Sequence, residues 1–494
     1  MEIKLKQGSL TQQECDVVIV NIFEKVKKPE GATGEVDKAL DGLISDYIIE
    51  QQDFNGKFGE IIVIPTYGKI PAKKVLVAGL GKAEEFDLNK IRLLSSKIIK
   101  KCKTLPKVKK ICSLLHGGGI GGLNPYNCAK VITEGTLLGS YSFDKYKSEK
   151  NEDKKIAEFE IVEIEPSIID RIKEGIENGK IVSEEVNFAR DLVNEPADEM
   201  TPTKLAQIAL KLKGVETKIM DKDEVQKLGM GSYLAVAKGS TQPPKFIHME
   251  YKPSNPKKKI AIVGKGVTFD SGGLDIKPAS SMLNMKDDMA GAAAVIGVIK
   301  AISKLKPNVE VHAIIAATEN MPGPQAYKPG DVVKAMNGKT IEIDNTDAEG
   351  RLTLADALCY AESLKVDEII DIATLTGACM AALGYMASGI VGNNDELVKK
   401  LIKAADDGGE RLWEFPMYEE YFEGLKSEIA DFKNSGTKFA GTSVAGLFLQ
   451  KFVSATPWAH IDIAGPSFLG NEVRELSKGA SGVGVRTLIN YILQ

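Results

Sequence analysis

Three separated stretches of the 494-residue chain set acids beside bases at spacings that could do chemistry. GKGVTFDSGGLDIK (264–277) carries Lys265, Asp270 and Lys277; KDDMAGAA (286–293) carries Asp287 and Asp288; NTDAEGRL (345–352) carries Asp347, Glu349 and Arg351. Taken singly, an acid at a helix start is a cap or a partner for the helix dipole. Taken together, these acids outnumber the two lysines and one arginine, and crowded carboxylates stay ionised only where cations compensate them. Hard divalent ions meet that demand, because carboxylate oxygen suits Mn²⁺ and Mg²⁺ and is acceptable to Zn²⁺. The glycines of GKG and SGG let backbone approach a ligand closely.

The elements that must position these residues read as alternating strands and helices. KKKIAIVGKG, VEVHAIIAAT and DEIIDIATLTG have the apolar, β-branched character of buried strands, while MAGAAAVIGVIKAISKL and LTLADALCYAESL have helical periodicity. Strand, helix and strand in succession imply right-handed crossovers and a doubly wound, mostly parallel sheet. The acid-bearing connections then fall at the carboxyl ends of its strands, where open α/β sheets bind ligands. Asn337-Gly338, between the β-rich runs VVKAM and KTIEI, predicts a two-residue hairpin just before NTDAEGRL. The first part of the chain alternates in the same way through DVVIVNIF, IIVIP, KVLVAGLG and KICSLL, which predicts a smaller α/β unit. Residues 145–180 turn charged and uneven and read as the linker. The expected organisation is an N-terminal α/β domain over 1–165, a linker helix region over 166–185 and a larger α/β domain over 186–494.

Composition narrows the function. With 43% hydrophobic residues, 27% charged residues and a formal net charge of −4, the chain has no strong field for nucleic acid or an anionic membrane. No run of about 18 apolar residues occurs, and the opening lacks a signal-peptide pattern, so a cytoplasmic location is expected. Six scattered cysteines form no CxxC pair, and the four histidines include no HExxH spacing, so a metal would be held mainly by oxygen. HGGGIGG matches GxGxxG through Gly117, Gly119 and Gly122, but the acid expected roughly 20 residues on has no counterpart, and a plain glycine-rich loop is the better reading. DNTDAEG fails as a calcium loop, because Ala348 and Ala355 stand at its fifth and twelfth positions.

NTDAEGRL, GKGVTFDSGG, the later Lys277 and KDDMAGAA together resemble the leucyl aminopeptidase family of dinuclear metallopeptidases, the cytosol and bacterial aminopeptidase A type. The likeness extends through NEPADEMTP, ENMPG, KPGDVV, DIATLTGACMAALG and GASGVGVRTL, so that roughly residues 180–494 match. It implies that Asp270 and Glu349 bridge two divalent ions, that Lys265 and Asp288 complete one site, and that Asp347 completes the other. It also implies catalytic roles for Lys277 and Arg351, the latter holding a bicarbonate that acts as general base. Met285 and Thr374 are implied to line an apolar pocket that favours leucine-like side chains. The ions would be Mn²⁺ or Zn²⁺, with Mg²⁺ or Co²⁺ as substitutes. The implied substrates are peptides with a free N-terminus, and the implied assembly is a homohexamer. A nucleic-acid-binding or regulatory role on the same fold is the alternative, and the weak charge counts against it.

Overall fold

The computed structural model describes residues 1–50, 54–118, 122–149, 155–437 and 439–494. Within it the chain forms two compact units, Met1–Glu184 with Arg474–Ser477, and Glu185–Val473 with Lys478–Gln494.

The first unit is built on six strands: β1 (Glu2–Gln7), β2 (Val17–Phe23), β3 (Ile61–Pro65), β4 (Lys74–Gly81), β5 (Lys110–Leu114) and β6 (Glu158–Glu163). They lie in the order β1-β6-β5-β2-β4-β3, parallel throughout except that β3 runs against β4. The apolar runs become β2, β3, β4 and β5. The expected linker is different: its EFEIVE segment is β6, an interior strand between β1 and β5. Its acids do not mark exposure, because cross-strand lysines satisfy them. Lys4 reaches Glu158 at 2.8 Å, and Lys110 reaches Glu158 and Glu160 at 3.0 Å each. The division between the units falls after Glu184, inside the helix Ile169–Asn194.

The second unit carries β7 (Glu216–Met220), β8 (Lys245–Tyr251), β9 (Lys259–Asp270), β10 (Glu310–Asn320), β11 (Val332–Lys334), β12 (Thr340–Glu342), β13 (Glu368–Ala373), β14 (Ser388–Gly392), β15 (Leu412–Glu414), β16 (Phe432–Lys433) and β17 (Trp458–Asp462). Eight of them form one sheet in the order β15-β14-β17-β13-β9-β10-β8-β7. Its centre, β17-β13-β9-β10, is parallel, and the antiparallel pairings β14–β17, β10–β8 and β8–β7 flank it. The central strands are buried almost without interruption, as residues covered on both faces must be. The helix Ala290–Leu305 packs on β9, and twelve of its sixteen residues are buried.

The hairpin before NTDAEGRL exists, but with a longer turn than expected. β11 and β12 pair antiparallel, the Ala335 N–H donates to the Lys339 carbonyl at 2.9 Å, and the Gly338 N–H donates to the Ala335 carbonyl at 2.8 Å. Only Gly338 of the Asn-Gly pair takes a positive φ, +89°. That is a three-residue loop closed by a left-handed glycine, whereas the two-residue turn would need positive φ at Asn337 as well. Among the described residues, no helix is long and apolar enough to cross a membrane.

Candidate functional site

The site is assembled at the carboxyl ends of three adjacent strands. Asp270 is the last residue of β9, Asn320 the last of β10, and Thr374 follows the last residue of β13. Lys265 lies inside β9, five positions before Asp270, and an odd separation along a regular strand would send the two side chains to opposite faces. A bulge resolves this. Val267 pairs with Thr318 and Asp270 with Asn320, so Thr268 and Phe269 together oppose the single residue Glu319. The extra residue restores the parity and turns Lys265 and Asp270 to the same side.

Glu349 is the N-cap residue of the helix Gly350–Ser363, and Asp347 sits two residues earlier in the turn. A Cβ on Gly350 would lie 2.5 Å from Lys265 Cε, so the lysine can lie along this helix start only because the residue is glycine. Gly272, at φ +86°, makes the matching approach after β9, where a Cβ would fall 2.4 Å from the Asp275 carbonyl oxygen.

The side chains form one charged cluster. Lys265 Nζ lies 2.6 Å from Asp288 Oδ1 and 2.9 Å from Glu349 Oε1, and donates to the Thr374 carbonyl at 2.9 Å. Lys277 Nζ lies 2.8 Å from Asp270 Oδ2 and 2.6 Å from Asp347 Oδ1. Carboxylate oxygens of Asp270, Asp347 and Glu349 lie within 4.8 Å of one another. Asp288 joins the cluster, whereas Asp287 accepts from the Ser467 hydroxyl at 3.3 Å. The two part because Met285–Asp287 is a 3₁₀ turn ahead of the helix that starts at Ala290; KDDMAGAA is not helical from its first residue.

Four carboxyl groups face two ammonium groups in a largely buried place, and the titration behaviour follows from that imbalance. Burial and the neighbouring Glu349 charge push Asp270 up to about 6. Burial raises Asp288 well above the carboxylate range. Burial opposes the Lys265 ammonium, but Asp288, Glu349 and Asp270 more than offset it and hold its pKa above the ordinary value. Lys277 is raised in the same way, with Asp270 and Glu349 overcoming burial. Among the described residues, Asp288 Oδ2 and Asn320 Oδ1 are buried without a hydrogen-bond partner. An oxygen-rich donor set with surplus negative charge and a bare buried carboxylate oxygen fits hard or borderline divalent cations.

Arg351 stands beside this cluster. It donates from Nη1 to the Asn434 carbonyl at 2.8 Å, its guanidinium carbon lies 5.9 Å from the centre of the Phe448 ring, and its Nε is buried without a partner among the described residues. Burial lowers its pKa to about 10. Thr374 is buried, and its hydroxyl donates to Asp288 Oδ1 at 2.8 Å, so it supports a cluster member directly. Met285 is half-buried on the 3₁₀ turn.

Two residues were not read from the sequence. Asn320 donates to Asp270 Oδ1 at 2.8 Å and to the Thr346 carbonyl at 3.0 Å, tying the end of β9 to the turn that carries Asp347. Its signal was present, a polar residue ending the VEVHAIIAATEN run like those at the neighbouring strand ends. Asn434 accepts from the Asp344 and Asn345 N–H groups and donates to the Asn345 carbonyl, from 89 residues away in the chain, and nothing local announces it.

HGGGIGG places its glycines elsewhere. Gly117 (φ +83°) follows β5 and lines a cavity of about 550 Å³ in the first unit, together with Phe23, Leu80 and Leu114; Gly119 lies outside the described residues.

Residues 187–489 match the catalytic domain of the cytosol aminopeptidase family, and residues 19–150 match the N-terminal domain of that family. A probable cytosol aminopeptidase of Sulfurihydrogenibium sp. (strain YO3AOP1) is 47% identical across 100% of this chain and 98% of its own length. One from Persephonella marina is 46% identical, with 100% and 99% covered. Among solved structures, a mutant of tomato leucine aminopeptidase superposes with a TM-score of 0.88 at 37% identity, covering 100% of this chain and 96% of the other. The bottromycin maturation enzyme BotP in complex with Mn superposes with a TM-score of 0.85 at 31% identity, covering 97% and 99%.

Proposed function

This chain belongs to the cytosol aminopeptidase family and is a peptidase of the hydrolase class, and from that premise we propose that it releases N-terminal residues, large apolar ones by preference, from peptides through a centre of two divalent ions. The observation that carries the reading is the largely buried cluster of four carboxylates and two lysines at the ends of β9, β10 and β13.

Asp270 and Glu349 would hold both ions, Lys265 and Asp288 one of them, and Asp347 the other. When bound, the two ions supply a water acidic enough to yield hydroxide near neutral pH and a seat for the substrate's free α-amine. Lys265 must give up its proton to serve as a ligand, which an adjacent dication favours and the carboxylates now oppose. Lys277 pairs at present with Asp270 and Asp347. With those carboxylates engaged, its ammonium is released to donate to the oxyanion that forms from the scissile carbonyl, a contribution of about 3 kcal/mol.

Among the described residues, no histidine touches the cluster to move the proton. Arg351 has a buried Nε without a partner among the described residues, and a planar guanidinium holds a planar oxyanion in two bonds. Bicarbonate is the anion of this reading, held there as the proton acceptor. Mn²⁺ and Zn²⁺ are the expected ions, and Met285 contributes apolar surface for the first side chain of the peptide. A homohexamer belongs to the same reading.

Leucyl peptides with a free and with an acetylated N-terminus separate this function from other peptidase activity. Stepwise release of residues from the free peptide alone supports it, whereas equal cleavage of both, or internal cleavage, contradicts it.

A further inference from the structure

At the opposite end of the same sheet, three further metal-ligating side chains meet outside this cluster. His248 and Glu250 are two residues apart on β8 and so share a face, and His312 on β10 pairs directly with Glu250. Ligand atoms of the three lie within 4.8 Å of one another. Along β10 the group lies well before the catalytic edge. His312 pairs with Ala261 of β9, four residues before Lys265, which is about 13 Å of strand.

The hydrogen bonds around the two rings have the form that metal-binding histidines need. His248 Nδ1 lies 3.1 Å from the Tyr360 hydroxyl, and His312 Nε2 lies 2.9 Å from Glu310 Oε1. Each ring thus has an outer nitrogen engaged by a hydroxyl or a carboxylate, the arrangement that fixes tautomer and orientation in metal sites. The inner nitrogens, His248 Nε2 and His312 Nδ1, face each other at 3.0 Å. An ion bonded to both at about 2.0–2.1 Å would subtend about 95°, and parting the rings by roughly 0.4 Å would bring that angle to tetrahedral.

Two carboxylates, Glu250 and Glu310, stand among the nearby cations. Lys252 lies 3.6 Å from each of them, and Lys259 lies 3.1 Å from Glu310. Lys252 is largely exposed, so its hold on Glu250 is weak and readily exchanged for a cation that Glu250 can ligate. Lys218, opposite His248 on β7, adds a positive charge beside that ring.

We propose that His248, His312 and Glu250 hold one divalent ion of the zinc type, separate from the catalytic cluster, with Tyr360 and Glu310 orienting the two rings and the half-buried face leaving a position for water. Two imidazoles and one carboxylate select Zn²⁺, Ni²⁺ or Co²⁺ over Mg²⁺. The ion would clamp the antiparallel pair β8–β10 at its side chains.

Zinc bound per chain, measured by elemental analysis after dialysis of full-length protein against a buffer that fixes free zinc at a micromolar level, tests this directly. Wild type is expected to hold one more zinc than the His248→Phe variant, and Tyr360→Phe to retain that zinc with affinity roughly tenfold weaker. Ions in the carboxylate cluster count equally in all these proteins, so the outcome is independent of the peptidase reading. Equal zinc in wild type and a folded His248→Phe variant, checked by circular dichroism, would overturn the proposal. If His248→Phe fails to fold, Glu250→Gln takes its place, because it leaves the hydrogen-bonded histidine pair intact; zinc equal to wild type in that variant is likewise fatal to the site.

Discussion

The carboxyl edge of β9, β10 and β13 and the carboxyl edge of β2, β4 and β5 are built by the same means, parallel strands whose ends open away from their crossover helices. The first ends in Asp270, Asn320 and Thr374 and gathers four carboxylates, two lysines and an arginine. The second ends around Phe23, Leu80, Leu114 and Gly117 and encloses a largely apolar cavity of about 550 Å³, with Glu30, Glu35 and Glu163 among its lining. Parallel topology supplies a concave place at both edges, and residue type decides what chemistry each of them can hold.

The comparison breaks most visibly at Glu349. Replacing it with alanine removes a carboxylate expected to serve both ions, and peptide release should fall to the uncatalysed level while circular dichroism stays that of wild type. Lys277→Met removes the ammonium proposed to donate to the developing oxyanion. A loss of about 10²- to 10³-fold in kcat with KM little changed is expected from steady-state kinetics. Gly350→Ala adds a single methyl against Lys265 Cε, and misplacing that lysine should cost up to about 10²-fold in kcat. In the first unit, Leu80→Ala enlarges the cavity. A stability loss of about 2 kcal/mol in urea unfolding is expected, with kcat unchanged.

The parts legible in the sequence were those carried by local pattern. Long apolar runs gave β2 to β5 and the central strands of the second sheet, and the acid-bearing connections fell at strand ends as the alternation required. EFEIVE was misread because an interior strand with three acids looks like solvent-facing text until Lys4 and Lys110 are seen across from it. The bulge at Thr268 and Phe269 left no trace either. VGKGVTF is buried along almost its whole length, on both faces, and carries no period in which an extra residue could show. Asn434 and the pairing of His248 with His312 depend on contacts across 89 and 64 residues, which no window of sequence contains.

The central claim is that the charged edge is a metal-dependent exopeptidase centre. Hydrolysis of leucine p-nitroanilide by purified protein, before chelation, after it, and after return of Mn²⁺ or Zn²⁺, tests it most directly when the Glu349→Ala variant is run alongside. The account predicts activity that disappears on chelation, returns with either ion and is absent from the variant throughout. Activity that survives complete removal of metal, or a folded and metal-loaded protein that cleaves neither this substrate nor a leucyl dipeptide, would contradict it.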